Sequence, residues 1–274
     1  DDGLSDRQVV FETELDEPTD EWHRFGSLGF EEDGETLWMM VGDHFVTANG
    51  QSYDEPMGSL IRILPSREVG KDGHRIPPGN MAAVTAGDGA GGAPFEDADP
   101  SVFAYGFRSP FRATRDAAGR VFVGDVGLGT FEEVNLVTEV GQNFGWADAE
   151  GPCLEDCEGF TDPLVDFGRS SDEQYVFDDP DTEPAAKRAV WVGEIYQSPR
   201  YDRYCGLMED VVVFGDFFTG WVRALRVNAD GDVVLDESIG HLTAVTSWRS
   251  GPDGFAYVLD LNGGFQRVVP DWAD

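Results

Sequence analysis

Two features of this sequence carry side chains that can do chemistry: a histidine before an apolar run, and adjacent carboxylates among glycines. His23 stands in the segment EWHRFGSLGF (21–30), directly before an expected β-strand. An imidazole titrates near neutral pH and can accept the proton of a hydroxyl group. Glu132 and Glu133 follow a glycine-rich stretch, and carboxylate and carbonyl oxygens are ligands of Ca²⁺. Two interpretations stay open: a catalytic base with a cation site, or a turn histidine and a solvated carboxylate pair.

A further set of carboxylates closes four short apolar runs. An aspartate at the end of a strand can accept hydrogen bonds from nearby backbone amides and so cap a turn. Because the four stand at the same place in a recurring pattern, we expect at most one to serve catalysis and predict that the others are turn caps. The runs occupy residues 36–43, 120–125, 211–216 and 255–260 and end in Asp43, Asp125, Asp216 and Asp260.

The runs predict a repeated β architecture. Each is too short for a typical helix and apolar on both faces, which indicates a strand covered on both sides. The closing aspartates are separated by 82, 91 and 44 residues. The first two spacings are close to twice the third, which indicates a unit of about 41–45 residues with alternate units too diverged to recognise. A second apolar strand follows each aspartate, at 58–64, 131–137, 220–227 and 263–269.

This pattern predicts an all-β fold, a β-propeller of four-stranded antiparallel blades that residues 1–274 form as a single domain. A β-sandwich or two small β domains are the alternatives. Two long polar insertions, at 65–101 and 168–188, are expected to be loops on this scaffold. Long loops on one face of a rigid scaffold are where sites are usually built.

The chain is short for a closed ring. At about 42 residues per blade it has room for roughly five blades. The first apolar run, at 7–13, is typical of a lone strand that completes a preceding blade. We therefore expect that closure needs more chain upstream or a partner chain. The start at Asp1, with no methionine and no signal-peptide pattern, predicts a processed product or a fragment.

The charge of the chain is strongly one-sided. Acidic residues number 53 against 19 basic ones, for a net charge of −34, and Lys71 and Lys187 are the only lysines. Such a charge argues against binding to nucleic acid or an anionic membrane, which needs the opposite sign. Adaptation to high salt, Ca²⁺-binding clusters and a GC-rich genome can each account for it. We favour the first, because salt screens self-repulsion.

The cysteines and the hydropathy bear on compartment. Cys153 and Cys157 lie close in the sequence and Cys205 is distant, with no spacing typical of a zinc site. A local disulfide, expected if the protein is exported, and free thiols are both open. No apolar run is long enough to cross a bilayer. We expect a secreted or periplasmic protein that does not insert into a membrane.

Residues 102–151 resemble the glucose/sorbosone dehydrogenase family, a group of six-bladed propellers that takes in aldose sugar dehydrogenases and HHIP-like propellers. Several motifs occur in the family's order and spacing, and the resemblance extends over nearly the whole chain except one to two N-terminal blades. The characterised enzymes use pyrroloquinoline quinone (PQQ) with Ca²⁺. The matching pieces are Tyr105-Gly106-Phe107-Arg108-Ser109-Pro110, Gly124-Asp125-Val126-Gly127, Glu132-Glu133-Val134-Asn135 and Asn143-Phe144-Gly145-Trp146.

The resemblance implies a role for several residues. His23 stands where the family has its catalytic base, Asp43 where an aspartate orients that base, and Arg108 where an arginine contacts quinone and substrate. The backbone carbonyls that hold the cofactor's Ca²⁺ fall at Gly127 and Leu128. The carboxylate of a structural Ca²⁺ site falls at Glu133, with Phe144 near it.

The chain departs from the family at three positions expected to bind the cofactor. Ser109 replaces the asparagine that usually follows the arginine, and Gln197 replaces a quinone-anchoring lysine. Thr219 stands where a basic residue is expected. A quinone with three carboxylates needs cations, and Arg200 or Arg203 can supply them from a nearby loop.

The function implied is oxidation of an aldose or related sugar at its anomeric hydroxyl. In that chemistry His23 takes the hydroxyl proton, Asp43 fixes its tautomer, and Arg108 stabilises negative charge. The alternative is a non-catalytic propeller that serves as a binding or structural module. A Ca²⁺-dependent hydrolase would need carboxylates converging on one axial metal, and the sequence shows no such set. Trp146, like the other tryptophans, is predicted to pack between blades.

Overall fold

The computed structural model describes residues 9–13, 22–66, 73–84, 95, 97–154, 157–169, 187–196 and 201–271. Its regular structure is almost entirely β, with two short 3₁₀ turns at Thr47–Gln51 and Met81–Ala83. Over these ranges the strands form four antiparallel sheets, in which strands adjacent in sequence pair with one another except for one added strand in the first sheet. The prediction of an all-β propeller built from four-stranded blades is therefore confirmed.

The first blade is the most elaborate, because two later strands share one edge. Its third strand pairs with both the fourth and the fifth. The predicted loop 65–101 thus contains a strand and a 3₁₀ turn, which the buried Asn80 ties to the sheet through bonds from its Nδ2 to the carbonyls of Arg62, Pro100 and Ser101. The strands are β1 (Phe25–Phe30), β2 (Leu37–Val41), β3 (Ser59–Pro65), β4 (His74–Arg75) and β5 (Val102–Tyr105).

The remaining three blades follow in order along the chain. The second and third have four strands each, and the last has three among the described residues. Blade two contains β6 (Pro110–Arg115), β7 (Val121–Asp125), β8 (Phe131–Val137) and β9 (Val165–Gly168). Blade three contains β10 (Val190–Val192), β11 (Val212–Asp216), β12 (Trp221–Val227) and β13 (Val233–His241). Blade four contains β14 (Val245–Ser250), β15 (Ala256–Asp260) and β16 (Phe265–Arg267).

The four apolar runs are the second strands of consecutive blades: β2, β7, β11 and β15. The inference that alternate units lie unseen between them is therefore wrong for the described part of the chain. The longer spacings come instead from insertions within blades, such as the connection between β8 and β9 over 138–164. The described residues accordingly make four blades, where the chain length suggested about five.

Both faces of β2, β7 and β11 are covered, as their composition predicts, whereas Leu259 of β15 is 48% exposed. All five residues of β7 and of β11 are buried, and aromatic side chains from adjacent blades fill the space between sheets. The expected strand at 7–13 is not found in its described part. Residues 9–13 form no ladder, although Val10 and Phe11 pack on the outer cluster of blade one and His74 Nδ1 lies 2.9 Å from the carbonyl of Val10.

Two further expectations have an outcome here. Cys153 and Cys157 form a disulfide, with Cα atoms 5.6 Å apart, and Cys205 is an exposed free thiol. No helix in the described ranges is long and apolar enough to span a membrane. Most of the predicted loop 168–188 lies outside the described residues.

Candidate active site

Propeller topology brings the candidate residues to one end of the molecule. Because neighbouring strands are antiparallel, the start of a first strand and the end of a second strand lie at the same edge of a blade. His23 precedes β1, Asp43 follows β2, and Arg108 precedes β6, the first strand of the next blade. Blades one and two pack through β1 and β6. The three predicted catalytic residues therefore meet where these blades adjoin.

A glycine permits this close approach. A Cβ atom on Gly42 would lie 2.5 Å from the carbonyl oxygen of His23 and 3.0 Å from that of Arg108. The Gly42 amide donates to the carbonyl of Arg24 and the Asp43 amide to that of Arg108, at 2.9 and 2.8 Å. Backbone bonds thus hold the segment after β2 between the two neighbouring loops.

His23 and Asp43 form a buried pair. His23 Nδ1 lies 2.7 Å from Asp43 Oδ1, and the side chains are 10% and 2% exposed. The ring of Phe45 stacks on the imidazole at 4.0 Å with an interplanar angle of 14°. His23, His44 and Phe45 all have positive φ angles, an uncommon conformation for residues other than glycine. The local backbone is thereby shaped to present the imidazole to the carboxylate.

The Asp43 carboxylate receives two more donors. The amide of Phe45 donates to Oδ1 at 2.9 Å, and the indole Nε1 of Trp146 donates to Oδ2 at 2.8 Å. Trp146 is buried, as expected for a packing residue, and its polar edge in addition faces the candidate base pair. Each oxygen of the buried Asp43 carboxylate thus has at least one hydrogen-bond partner.

Arg108 lies beside this pair. Its Nη1 donates to the carbonyls of Val126 and Gly127, each at 2.7 Å, and its guanidinium carbon lies 5.4 Å from the centre of the Trp146 ring. Burial lowers the pKa of Arg108 from its ordinary value, against the opposing charges of Asp125 and Asp43. Its Nε and Nη2 atoms make no hydrogen bond within the described residues, so they stay available to an anionic group.

In the loop after β7, the backbone carbonyl expected to bind Ca²⁺ accepts hydrogen bonds from arginine side chains instead. The carbonyl of Gly127 accepts from Arg108 Nη1 and from Arg169 Nη1, both at 2.7 Å. On its other side the amides of Leu128, Gly129 and Thr130 donate to Glu150 Oε1. Leu128 itself is 60% exposed. The Gly127 carbonyl oxygen, which the resemblance implies to be a Ca²⁺ ligand, thus accepts hydrogen bonds from two guanidinium groups.

Glu132 and Glu133 are not a solvated pair. Both faces of β8 are covered, so adjacent residues are buried together, at 0% and 7% exposure. Glu132 forms an ion pair with Arg169 and accepts from the Val190 amide at 2.7 Å, and burial raises its pKa to about 8. Glu133 accepts from the Gly151 amide at 2.6 Å and from Asn135 Nδ2 at 3.0 Å.

Glu133 is the better candidate for a cation ligand. Burial raises its pKa to about 7, and no cationic side chain pairs with it within the described residues. Asn135 Oδ1, also buried, has no hydrogen-bond partner in that part of the chain. Phe144 stacks on Phe107 at 4.8 Å in the apolar core. No group of three or more His, Cys, Asp or Glu residues in the described ranges has the geometry of a metal cluster.

The three departing positions have separate outcomes. The amide of Ser109 donates to Asp125 Oδ1 at 2.6 Å, next to the bond from the Arg108 amide to Oδ2 at 2.8 Å, so Asp125 fixes the backbone of both. Burial and then the charge of Glu133 raise the pKa of Asp125 well above its ordinary value.

The amide and the hydroxyl of Thr219 both donate to Asp216 Oδ2, which makes Thr219 part of a turn. Gln197 and Arg200 lie outside the described residues.

Sequence reasoning missed three partners: the Trp146 indole, Arg169 and Glu150. Trp146 had a signal, since it stands in the quoted motif Asn143-Phe144-Gly145-Trp146. Arg169 directly follows β9 and Glu150 lies in the β8–β9 connection, and neither shows a distinctive local pattern. Their contacts span 42 and 20 to 22 positions of sequence, respectively, and depend on how β9 pairs with β8.

Comparisons with known proteins identify the family of this chain. The family model for glucose/sorbosone dehydrogenases matches residues 1–264. The aldose sugar dehydrogenase YliI of Escherichia coli K12 is 23% identical over 90% of this chain and 60% of its own length. The HIPL2 protein of Arabidopsis thaliana is 31% identical over 56% of this chain and 22% of its own length.

A solved structure shows the same fold. The PQQ-bound aldose sugar dehydrogenase of Streptomyces coelicolor matches with a TM-score of 0.56 at 20% identity, over 88% of this chain and 56% of that one. The chain thus spans less than two thirds of each of these proteins. Because the family model covers nearly all of its residues, the chain belongs to the glucose/sorbosone dehydrogenase family.

Proposed function

We propose that this protein is a sugar oxidoreductase that removes the anomeric hydroxyl proton and a hydride from an aldose, leaving the lactone. The observation that carries the proposal is the His23–Asp43 pair at 2.7 Å beside the guanidinium of Arg108. A base oriented by a carboxylate, next to a cation, is the arrangement that deprotonating a hydroxyl requires. The family and the named relatives support a sugar as substrate.

His23 is the residue that moves the proton. With Nδ1 bonded to Asp43, the neutral ring carries its proton on Nδ1 and offers the lone pair of Nε2. Nε2 makes no hydrogen bond within the described residues, so it can accept the substrate hydroxyl proton. Asp43 then stabilises the imidazolium, and Arg108 stabilises negative charge that develops on the substrate oxygen.

The site fits a quinone better than it fits the quinone's metal ion. The free donors of Arg108 suit a carboxylated quinone such as PQQ, which when bound supplies the two-electron acceptor for the hydride. Ca²⁺ does not fit at Gly127, whose carbonyl is shared by two guanidinium groups. At Glu133 the described residues supply one buried carboxylate with no cationic partner, so a structural Ca²⁺ there would need further oxygen ligands from the backbone or from water.

The direct test is reconstitution with PQQ, with and without Ca²⁺, followed by an aldose and an artificial electron acceptor. His23→Ala should lower kcat by about 10²–10⁴-fold, while PQQ binding stays close to that of the parent. His241→Ala, which removes an exposed histidine at the end of β13, should leave turnover unchanged. Undiminished turnover in His23→Ala would show that the base is misassigned.

A non-catalytic binding module, completed by another chain, is the second candidate. It is favoured by one observation: the Thr219 hydroxyl is committed to Asp216, so this position offers no quinone anchor. The reconstitution separates the two, since a folded protein that fails to bind micromolar PQQ cannot be the proposed enzyme. Export to an oxidising compartment is proposed on the disulfide between Cys153 and Cys157.

A further inference from the structure

The two oxygens of the Asp43 carboxylate have unequal partners. Oδ1 lies against His23 Nδ1 and accepts from the amide of Phe45, whereas Oδ2 accepts only from the indole of Trp146 within the described residues. The Asp43 side chain is 2% exposed, so water does not replace a missing donor. The orientation of the plane of Asp43 therefore depends on Trp146.

Trp146 is itself held from two sides. Its amide donates to the carbonyl of Gly106 at 3.1 Å, and its carbonyl accepts from Gln51 Nε2 at 2.6 Å. Gln51 is in turn fixed by Asn143, whose Nδ2 donates to Gln51 Oε1 at 2.8 Å. Gly50 leaves room for this contact, because a Cβ atom there would lie 2.3 Å from the Trp146 carbonyl oxygen.

The indole also touches the third candidate residue. The guanidinium carbon of Arg108 lies 5.4 Å from the ring centre, within the range of a cation–π contact. One side chain thus contacts the carboxylate through its N–H edge and the cation through its face. No other side chain in the described part of the chain contacts both Asp43 and Arg108 in this way.

We infer that Trp146 is a positioning residue that holds Asp43 in the orientation that selects the Nδ1–H tautomer of His23 and keeps Arg108 beside it. The geometric statement stands by itself, and its consequence for turnover rests on the proposed function. Without the indole donor, Oδ2 has no partner, and the carboxylate can rotate away from the imidazole. The tautomer is then no longer fixed, and the base presents Nε2 for only part of the time.

The test replaces the donor and keeps the ring, with Trp146→Phe compared with Trp191→Phe. Trp191 is the matched control, since it is also buried and its Nε1 has no hydrogen-bond partner in the described ranges. In ¹⁵N NMR of histidine-labelled protein, Trp146→Phe should change the Nδ1 and Nε2 shifts of His23 to those of a tautomer mixture, and Trp191→Phe should not. Turnover should fall about 10- to 100-fold in Trp146→Phe only.

The NMR measurement needs no cofactor, so it decides the inference even if the proposed activity fails. Parent-like His23 shifts in Trp146→Phe, or equal changes in both variants, would overturn it. If Trp146→Phe does not fold, the indole resonances of Asp43→Asn provide the answer. The Trp146 N–H signal should move on that substitution while that of Trp191 stays, and an unmoved Trp146 signal would contradict the inference.

Discussion

Asp43 and Asp216 stand at the same place in two blades and do different work. Each closes a second strand, β2 in blade one and β11 in blade three, and each is buried. Asp216 accepts from the amide and hydroxyl of Thr219 and from the Ala189 amide, so it holds a turn together. Asp43 lies against His23 and accepts from the side chain of Trp146. The repeat fixes the burial, and the neighbouring side chains fix the chemistry.

The source of those neighbours explains the difference. Trp146 comes from the long connection between β8 and β9, over 138–164. The corresponding connection of blade three, between β12 and β13, covers only 228–232. An insertion in one blade thus supplies the donor that converts a turn cap in the adjacent blade into part of a candidate site. The blades repeat, whereas the candidate site depends on an insertion that only one of these two blades has.

The largest expected effect tests this contrast in activity. Asp43→Asn should lower kcat by about 10⁴-fold, because an amide cannot accept from His23, Phe45 and Trp146 together. The same replacement at Asp216 should leave kcat within about twofold at temperatures where the variant is folded, since Asp216 contacts no candidate catalytic residue. Steady-state kinetics on the reconstituted protein measures both. Equal losses in the two variants would remove the distinction between them.

The next prediction concerns stability, where we expect Asp216 to matter although it should have little effect on kcat. Asp216 is 0% exposed, so Asp216→Ala leaves the amides of Ala189 and Thr219 and the Thr219 hydroxyl without their acceptor. The loss should lower the free energy of unfolding by about 2–4 kcal/mol. Asp260→Ala is the control, because Asp260 closes β15 with bonds from Gly264 and Gln266 at a place that water reaches. Its loss should be much smaller. Urea unfolding followed by fluorescence measures the two, and a larger loss at Asp260 would contradict the comparison.

The second strands of the blades are the part of the fold that the sequence predicts best. Four apolar runs that end in aspartate predict the second strands, because buried strands need apolar residues on both faces and a polar residue to end them. Their spacing misleads, because insertions of unequal length separate consecutive blades. The His23–Asp43 contact is implied by the family resemblance and by no local pattern, because the residues are 20 positions apart.

Contacts across blades were the least predictable from sequence. Trp146 reaches Asp43 over 103 positions and Arg169 reaches Gly127 over 42. Both depend on the way blades and their insertions pack, which no local periodicity encodes. The burial of Glu132 and Glu133 was missed for a related reason. A carboxylate pair is typical of a solvated surface unless both faces of its strand are covered, and only the packing of β8 between blades one and three shows that.

The smallest expected effect concerns the residue after each aspartate, His44 in blade one and Phe217 in blade three. His44 Nδ1 lies 3.2 Å from Arg24 Nη1, and burial, followed by the charge of Arg24, lowers the His44 pKa to about 4 against the attraction of Asp43 and with added repulsion from His23. The unfolded chain binds this proton near pH 6.5. Between these two values the unfolded state holds more protons, so stability falls as the pH drops.

His44→Asn should remove that contribution. Asparagine tolerates the positive φ of 54° at this position and keeps an acceptor for Arg24, so folding should be preserved. The melting temperature of the parent should fall more steeply than that of the variant between about pH 6.5 and 4, and the two curves should run parallel above that range. Parallel curves throughout would mean that His44 is protonated in the folded protein and that Arg24 does not use it as an acceptor. A charged His44 would then lie next to Asp43, where blade three has the apolar Phe217 next to Asp216.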